Sequence, residues 1–199
     1  MKVAFFTEMG FNGKIPRTHK NMRTEFAWMV ALNATHYNLK SIPSENYDLG
    51  IVVNSKNNPE WVNVEGLKSK CEKVAIMQEG PFWYFQDYPL AKQIHYFNNL
   101  TSADIIYAHN EVDVQYFKGL TNHKDVRVLR SLMVEDPINE ITHPKSRSGI
   151  MVGGNMKSWY GGFDSFMLAS SVTDEIYQPK MGRREEGEDE LGLTQLPYM

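Results

Sequence analysis

The sequence predicts an α/β protein built on a doubly wound parallel sheet. Short apolar runs rich in β-branched and aromatic residues recur along the chain, as in Val3–Thr7 and Ile51–Asn54. Between these runs, apolar residues return every three or four positions, and glycine, proline and asparagine separate the two patterns. The runs are typical of strands buried on both faces, and the intervening stretches are typical of amphipathic helices. Strands that alternate with helices pair in parallel through right-handed crossovers.

The composition is that of an ordinary soluble globular protein. The chain has 199 residues, of which 42% are hydrophobic and 23% charged, enough for one core or for one domain and part of another. The net charge of −3 gives no electrostatic reason to expect tight binding to a phosphate backbone. Cys71 is the single cysteine, which favours a reducing, cytoplasmic compartment. No apolar run approaches the roughly 20 residues of a membrane span.

The first 133 residues predict one complete Rossmann-like domain. The predicted strands are at residues 2–7, 36–39, 48–54, 73–77, 104–108 and 126–129. The predicted helices are at residues 23–33, 59–70, 89–100 and 111–118. Asn58 followed by Pro59 is typical of a capped helix start, and Gly119 is typical of a helix end.

The remaining residues predict a linker and the start of a second domain. Residues 134–148 are polar, contain two prolines and lack periodicity, so they are predicted to be an interdomain linker. Residues 149–199 then restart the pattern as strand, glycine-rich turn and a helix over residues 163–172. Such a turn lets the backbone approach a ligand closely, and the following helix end favours phosphate. The alternative is a plain strand–helix turn.

Several motifs of catalysis are incomplete in this chain. Gly10, Gly13 and Lys14 form only part of a P-loop, because Glu8 and Ile15 stand where a glycine and a hydroxyl residue are required. The same loop does not fit the dinucleotide-binding spacing. The histidines lack the spacing of a zinc site, and no G-x-S-x-G motif is present. We therefore expect chemistry without a metal, a cofactor or a serine nucleophile.

The predicted site lies beyond the carboxyl ends of the strands, where sheets of this class bind ligands. Glu79 directly follows a buried strand and precedes an aromatic loop, and it is the predicted catalytic residue because desolvation can raise the pKa of a carboxyl group. The alternative is an ordinary loop carboxylate. The predicted substrate-binding residues are Gly10, Phe11, Asn12, Gly13, Gly80, Trp83, His109 and Asn110.

Over nearly its whole length the chain resembles GT-B-type glycosyltransferases, close to the retaining family called group 1 or family 4. The stretch Ile150-Met-Val-Gly-Gly-Asn155, followed by Gly161-Gly-Phe-Asp164, is similar to the opening of their donor-binding domain. Gly161 stands where that family has a lysine, and Asn155 lies near its usual arginine. The resemblance implies that the diphosphate of the donor is held by Gly153, Gly154, Asn155, Lys157, Tyr160 and Arg183.

The resemblance implies transfer of a hexose from a nucleotide-diphosphate sugar to a hydroxyl acceptor, without a metal. The layout also resembles DNA-modifying glucosyltransferases of phages, which makes nucleic acid one candidate acceptor. The net charge of −3 does not support this candidate. A donor domain needs about 150 residues, so residues 149–199 are expected to be a truncated domain. The alternatives are a non-catalytic Rossmann-like binding module, an inactive fragment of such an enzyme, and a nicotinamide-dependent enzyme.

Overall fold

The computed structural model divides the chain into two compact units. It describes residues 1–8, 12–18, 24–78, 87–123, 125–140, 142, 146, 148–152 and 161–177. The first unit comprises residues 1–16 and 24–133, and the second comprises residues 17–23 and 134–199. The segment 17–23 therefore belongs to the second unit although the residues on either side of it belong to the first.

The first unit is built on a seven-stranded sheet. Its strands are β1 (Val3–Thr7), β2 (Gly13–Lys14), β3 (Thr35–Asn38), β4 (Tyr47–Asn54), β5 (Cys71–Gln78), β6 (Ile105–Ala108) and β7 (Val126–Val128). Their order across the sheet is β2-β3-β1-β4-β5-β6-β7. Every neighbouring pair is parallel except β2 with β3, which is antiparallel. The predicted α/β class with a parallel sheet is confirmed, and all six predicted strands are present.

The strand order creates a topological switch point between β1 and β4. From β1 the chain runs to β3 on one side of it, and then crosses β1 to form β4 on the other side. Open α/β sheets bind ligands in the crevice beyond the carboxyl ends of the strands at such a point. The carboxyl ends of β1 and β4 are therefore the place where the fold itself favours a site.

Four helices cover the two faces of this sheet. They are α1 (Thr24–Ala31), α2 (Val64–Lys68), α3 (Leu90–Ser102) and α4 (Glu111–Thr121). Successive residues of a strand point to opposite faces, and Phe5 and Phe6 accordingly enter two different cores. Phe5 packs in the core that contains α1, whereas Phe6 packs in the core that contains α2, α3 and α4. No helix within the described residues is long and apolar enough to cross a membrane.

The helix predicted over residues 59–70 is divided in the structure. A 3-10 turn covers Pro59–Trp61, Val62 is extended, and α2 begins at Val64. Asn63 caps α2, since its Oδ1 accepts a hydrogen bond from the N–H of Gly66 at 2.9 Å. The predicted capping by Asn58 is wrong, because its side chain makes no capping hydrogen bond. The α-helix therefore begins after Asn63, five residues later than the predicted start at Pro59.

Two other expectations also differ at glycines. The helix predicted to end at Gly119 continues to Thr121, and Asn122 ends it in the left-handed conformation with φ of 53°. Asparagine tolerates this conformation better than most residues. Gly13 was expected in a loop, but with φ of +110° it opens the short edge strand β2 against β3.

The second unit contains a small parallel sheet of its own. Its elements are α5 (Glu135–Asn139), β8 (Ile150–Met151), α6 (Gly162–Ser170) and β9 (Ile176–Tyr177). The strands β8 and β9 pair in parallel on either side of α6 in sequence. Gly149 has φ of +75°, and a Cβ there would lie 2.5 Å from the carbonyl oxygen of Glu175, so only glycine fits before β8.

The helix α5 lies in a stretch that the sequence predicted to be an irregular linker. Glu135 and Asp136 occupy its first turn, where negative charge is favourable. Both side-chain nitrogens Nε and Nη2 of Arg17 donate to the carboxylate of Asp136 at 3.0 Å. Hydrogen bonding to Arg17 lowers the pKa of Asp136. The proline at 137 falls in the same first turn, the part of a helix in which its missing N–H is tolerated.

A network of buried amides fixes the carboxyl end of β4. Asn99 of α3 donates through Nδ2 to Oδ1 of Asn54 at 3.0 Å and to the carbonyl oxygen of Pro59 at 2.8 Å. Asn54 in turn donates to the carbonyl oxygen of Tyr96 at 3.1 Å. Both asparagines are buried. The end of β4 and the turn at Pro59 are therefore tied to α3, which is distant in sequence, beside the switch point.

We expect Asn99→Ala to destabilise the first unit by about 2–4 kcal/mol, because two buried acceptors lose their donor and each costs roughly 1–3 kcal/mol when unsatisfied. Urea denaturation measures the loss. Asn98→Ala is the matched control, since Asn98 is exposed on the same helix and receives the same gain in helix propensity. Equal midpoints for the two variants would contradict the role of the network.

The thiol of Cys71 is buried where β5 begins. A Cβ at Gly50 of the neighbouring strand would lie 2.8 Å from Cys71 Sγ, so glycine leaves room for the sulfur. Burial raises the pKa of Cys71 to about 11. The folded protein therefore holds this group as the neutral thiol at pH values where an exposed thiol ionises.

We expect the stability that Cys71 contributes to be fully present below about pH 9 and to be lost as the pH rises towards 11, because only the unfolded state releases the proton in that range. The measurement is the difference in unfolding free energy between the wild type and Cys71→Ala at pH 8 and at pH 11, which cancels the titration of other groups. A difference in unfolding free energy that is the same at pH 8 and at pH 11 would contradict the burial of the thiol.

A thiol reagent should label Cys71 slowly in the native protein and rapidly in the unfolded protein.

Candidate functional site

A single carboxylate connects the carboxyl ends of β1 and β4. Glu8 directly follows β1, and Ser55 directly follows β4. The hydroxyl of Ser55 donates to Oε1 of Glu8, and Nδ2 of Asn58 donates to the same oxygen at 2.7 Å. The backbone N–H of Asn58 donates to Ser55 Oγ at 2.9 Å, which closes the turn. The Glu8 side chain is therefore held in place at the switch point through one of its two oxygens.

The end of β3 adds further amides to this group. Asn38 donates through Nδ2 to the carbonyl oxygen of Glu8 at 3.3 Å. Its backbone N–H donates to Oδ1 of Asn12 at 3.0 Å. We call the residues Glu8, Asn12, Asn38, Ser55 and Asn58 the switch-point cluster. It offers one carboxylate, one hydroxyl and three carboxamides, and it contains no lysine or arginine.

The switch-point cluster is poorly suited to hold phosphate. In dinucleotide-binding folds a short glycine turn leads directly from the first strand into a helix, whose free N–H groups bind the diphosphate. Here residues 8–23 separate β1 from α1, and β2 lies between them. Glu8 at the strand end adds a negative charge to the cluster. The arrangement favours a neutral ligand that carries hydroxyl groups.

A second polar group lies at the carboxyl ends of β5 and β6. Gln78, the last residue of β5, is 1% exposed, and its Nε2 lies 3.5 Å from Oδ2 of Asp113. In the part of the chain that the structure describes, Oε1 of Gln78 has no hydrogen-bond partner. Asn110 caps α4, since its Oδ1 accepts from the N–H of Asp113 at 2.9 Å. His109 precedes this cap and is half-buried.

The first turn of α4 carries two carboxylates. A hydrogen bond from its own backbone N–H lowers the pKa of Glu111, and Arg130 lowers it further through a contact of 3.3 Å. The carboxylate of Asp113 accepts a hydrogen bond from Nδ2 of Asn110 at 3.0 Å. Arg130 offsets the charge of Glu111, so Asp113 is the carboxylate that disfavours an anion beside Gln78.

The structure places only some of the predicted site residues. Asn12 belongs to the switch-point cluster, Gly13 lies in the edge strand β2, and His109 and Asn110 lie beyond β6. Asn110 acts as a helix cap, which the sequence analysis did not predict. The other predicted site residues lie outside the described residues: Gly10, Phe11, Glu79, Gly80, Trp83, Gly153, Gly154, Asn155, Lys157, Tyr160 and Arg183.

No site role was predicted from the sequence for four polar residues that the fold brings to the strand ends. These are Asn38, Ser55, Asn58 and Gln78. Ser55 and Gln78 share one signal, a polar side chain at or just after the end of an apolar run, which marks the carboxyl end of a buried strand. Glu8 was predicted to begin a loop at the ligand end of the sheet and to depart from the P-loop pattern, but no role was assigned to it. The structure places it at the centre of the switch-point cluster.

Comparison with known proteins adds no relative to this description. No protein-family model matches the chain, and neither the curated proteins nor the solved structures contain a match. Among the described residues, no group of three or more histidine, cysteine or acidic side chains is placed to hold a metal ion. The fold and its strand ends define a Rossmann-like α/β protein.

We expect Asn110→Ala to lower stability by about 1 kcal/mol, because α4 loses the side chain that caps its first turn. Asn110→Ser should keep most of the stability, since a serine hydroxyl can accept the same hydrogen bond from the N–H of Asp113. Urea denaturation of both variants gives the comparison. If alanine were tolerated as well as serine, the cap would not contribute.

Proposed function

We propose that the chain is a GT-B-type glycosyltransferase that moves a hexose from a nucleotide-diphosphate sugar to a hydroxyl acceptor. The first unit binds the acceptor at the switch-point cluster. One observation carries the proposal: the Glu8 carboxylate is held by Ser55 and Asn58 among neutral hydrogen-bonding groups, where an α/β sheet binds its ligand.

The chemistry of the switch-point cluster matches a sugar hydroxyl. A hydroxyl group both donates and accepts hydrogen bonds, a carboxylate only accepts them, and a carboxamide does both. Among the described residues, the hydrogen bonds from Ser55 and Asn58 both end on Oε1 of Glu8, and in this proposal Oε2 accepts from an acceptor hydroxyl. The exposed Asn12 extends the same surface for a neighbouring hydroxyl.

Glu79 acts as the catalytic group in this proposal. Glu79 directly follows Gln78, the last residue of β5. It therefore comes after the carboxyl end of that strand, the end at which the acceptor binds in this proposal. Glu79 accepts the proton of the acceptor hydroxyl while the oxygen of that hydroxyl forms a bond to the anomeric carbon of the donor sugar. The bond from that carbon to the diphosphate breaks, and the nucleoside diphosphate leaves with the bonding electrons.

The second unit holds the donor in this proposal. Its succession of β8, α6 and β9 with parallel pairing is a small α/β layer of its own, which supports a second nucleotide-fold unit. The glycine-rich turn of residues 153–154, together with Asn155, Tyr160 and the basic Lys157 and Arg183, holds the diphosphate. Backbone amides and basic side chains stabilise such a leaving group without a metal.

A non-catalytic Rossmann-like binding module is the second candidate. It is favoured by Gly161, which stands where the resembled family has its lysine. A nicotinamide-dependent enzyme is disfavoured, because residues 8–23 separate β1 from α1 and a short glycine turn is needed for the dinucleotide. A fluorescence titration with NADH tests for a nicotinamide-dependent enzyme.

In this proposal the protein is cytoplasmic, which is consistent with the buried free thiol of Cys71.

The experiment combines calorimetry with UDP- and GDP-sugars and an assay of glycosyl transfer to a panel of neutral saccharides. We expect donor binding, together with slow hydrolysis of the donor when no acceptor is present. Glu79→Gln should lower the rate about 10²–10⁴-fold with unchanged donor affinity, because it removes a general base. Glu72→Gln is the control, since Glu72 is an exposed glutamate near the opposite end of β5.

Glu8→Gln tests the acceptor side of the same assay. Its carboxamide keeps one acceptor oxygen for Ser55 and Asn58 but replaces the other by a donor, so KM for the acceptor should rise while KM for the donor stays unchanged. No binding and no hydrolysis with any nucleotide sugar would reject the transferase and leave the binding module. A donor KM that rises with the acceptor KM would reject the placement of the acceptor at Glu8.

A further inference from the structure

We propose that Gln78 and Asp113 form a specificity subsite for a hydroxyl group of the acceptor sugar, separate from the switch-point cluster. The inference rests on the proposed function, because it assigns part of the acceptor to this place. Its starting point is the buried carboxamide of Gln78, whose Oε1 has no partner in the part of the chain that the structure describes. Buried polar atoms almost always have partners, so an exception at a strand end points to a group that the ligand supplies.

The charge of Asp113 fixes which way the carboxamide of Gln78 points. Nε2 lies 3.5 Å from the carboxylate of Asp113, so the donor end of the amide faces the acceptor. A flipped amide would turn Oε1 towards that carboxylate and place two acceptors against each other. The unpartnered atom is therefore the acceptor oxygen, and the group that it lacks is a hydrogen-bond donor.

Gln78 lies within reach of a ligand bound at the switch-point cluster. It pairs in register with Asn54, the residue before Ser55. Only β4 lies between β1 and β5 in the sheet, so the ends of β1 and β5 are about 10 Å apart at the usual strand spacing. An acceptor of two sugar rings can therefore contact Glu8 with one ring and Gln78 with the other.

The surroundings select a neutral donor group. Asp113 places a carboxylate beside Gln78, and this charge repels a phosphate or a carboxylate of a ligand. A sugar hydroxyl can donate to Oε1 of Gln78 without adding charge. The class of ligand assigned to the subsite is therefore a neutral disaccharide with a free hydroxyl on its second ring.

The test titrates the full chain with maltose, cellobiose and lactose, and with glucose 6-phosphate as the anionic counterpart. We expect at least one neutral disaccharide to bind, and Gln78→Met to weaken that affinity at least tenfold. The melting temperature of this variant should stay the same or rise, because an apolar side chain of similar shape removes an unsatisfied acceptor. Gln115→Met is the matched control, since Gln115 is exposed on α4, and it should bind as the wild type does.

A measurement on the wild type keeps the inference open to refutation even if Gln78→Met does not fold. The side-chain amide resonances of Gln78 should shift on titration with the disaccharide that binds, and those of Gln115 should not. The inference is overturned if no neutral disaccharide binds, if the Gln78 resonances stay in place, or if Gln78→Met binds as the wild type does.

Parallel titration with UDP- and GDP-sugars separates this inference from the proposed function. Disaccharide binding that depends on Gln78 without binding of any nucleotide sugar would retain the subsite and reject the transferase. Binding and turnover of a nucleotide sugar with an unaffected Gln78→Met variant would retain the transferase and reject the subsite.

Discussion

Parallel pairing between β1 and β4 is the constraint on which the rest of the structure depends. Both strands are buried on both faces, so the sheet needs a helical layer on each side, and these layers supply the two cores around Phe5 and Phe6. The same pairing sends the chain in opposite directions across the sheet and leaves a crevice where the strands end. Polar side chains just beyond those ends are then brought together by the backbone, as Glu8 and Ser55 are.

Two buried carboxamide groups at neighbouring strand ends behave differently. Asn54 at the end of β4 both donates and accepts within the protein, so its side chain serves to position α3. Gln78 at the end of β5 faces Asp113 on one side only, and its oxygen is buried without a partner among the described residues. A fully satisfied amide contributes to the fold, whereas an incompletely satisfied one beside a ligand crevice is the kind of group that binding completes.

The strands of this chain could be predicted from sequence because burial on both faces leaves continuous apolar runs, as in β1 and β4. The switch-point cluster could not, since Glu8, Asn38 and Ser55 are distant in sequence and meet only through the order of the strands. Helix boundaries were also hard to predict where two residues could each start or end a helix. The N-cap of α2 is Asn63 and not Asn58, and α4 ends at Asn122 and not at Gly119.

The path of residues 17–23 determines how the chain can be divided. The segment belongs to the second unit although it lies between β2 and α1 of the first, and Arg17 forms its bidentate contact with Asp136 inside that second unit. The backbone thus passes between the units three times, near residues 16, 23 and 133. A gene split after residue 133 would give a carboxyl-terminal product that lacks residues 17–23 of the second unit. Each unit is therefore encoded by two separate stretches of the gene.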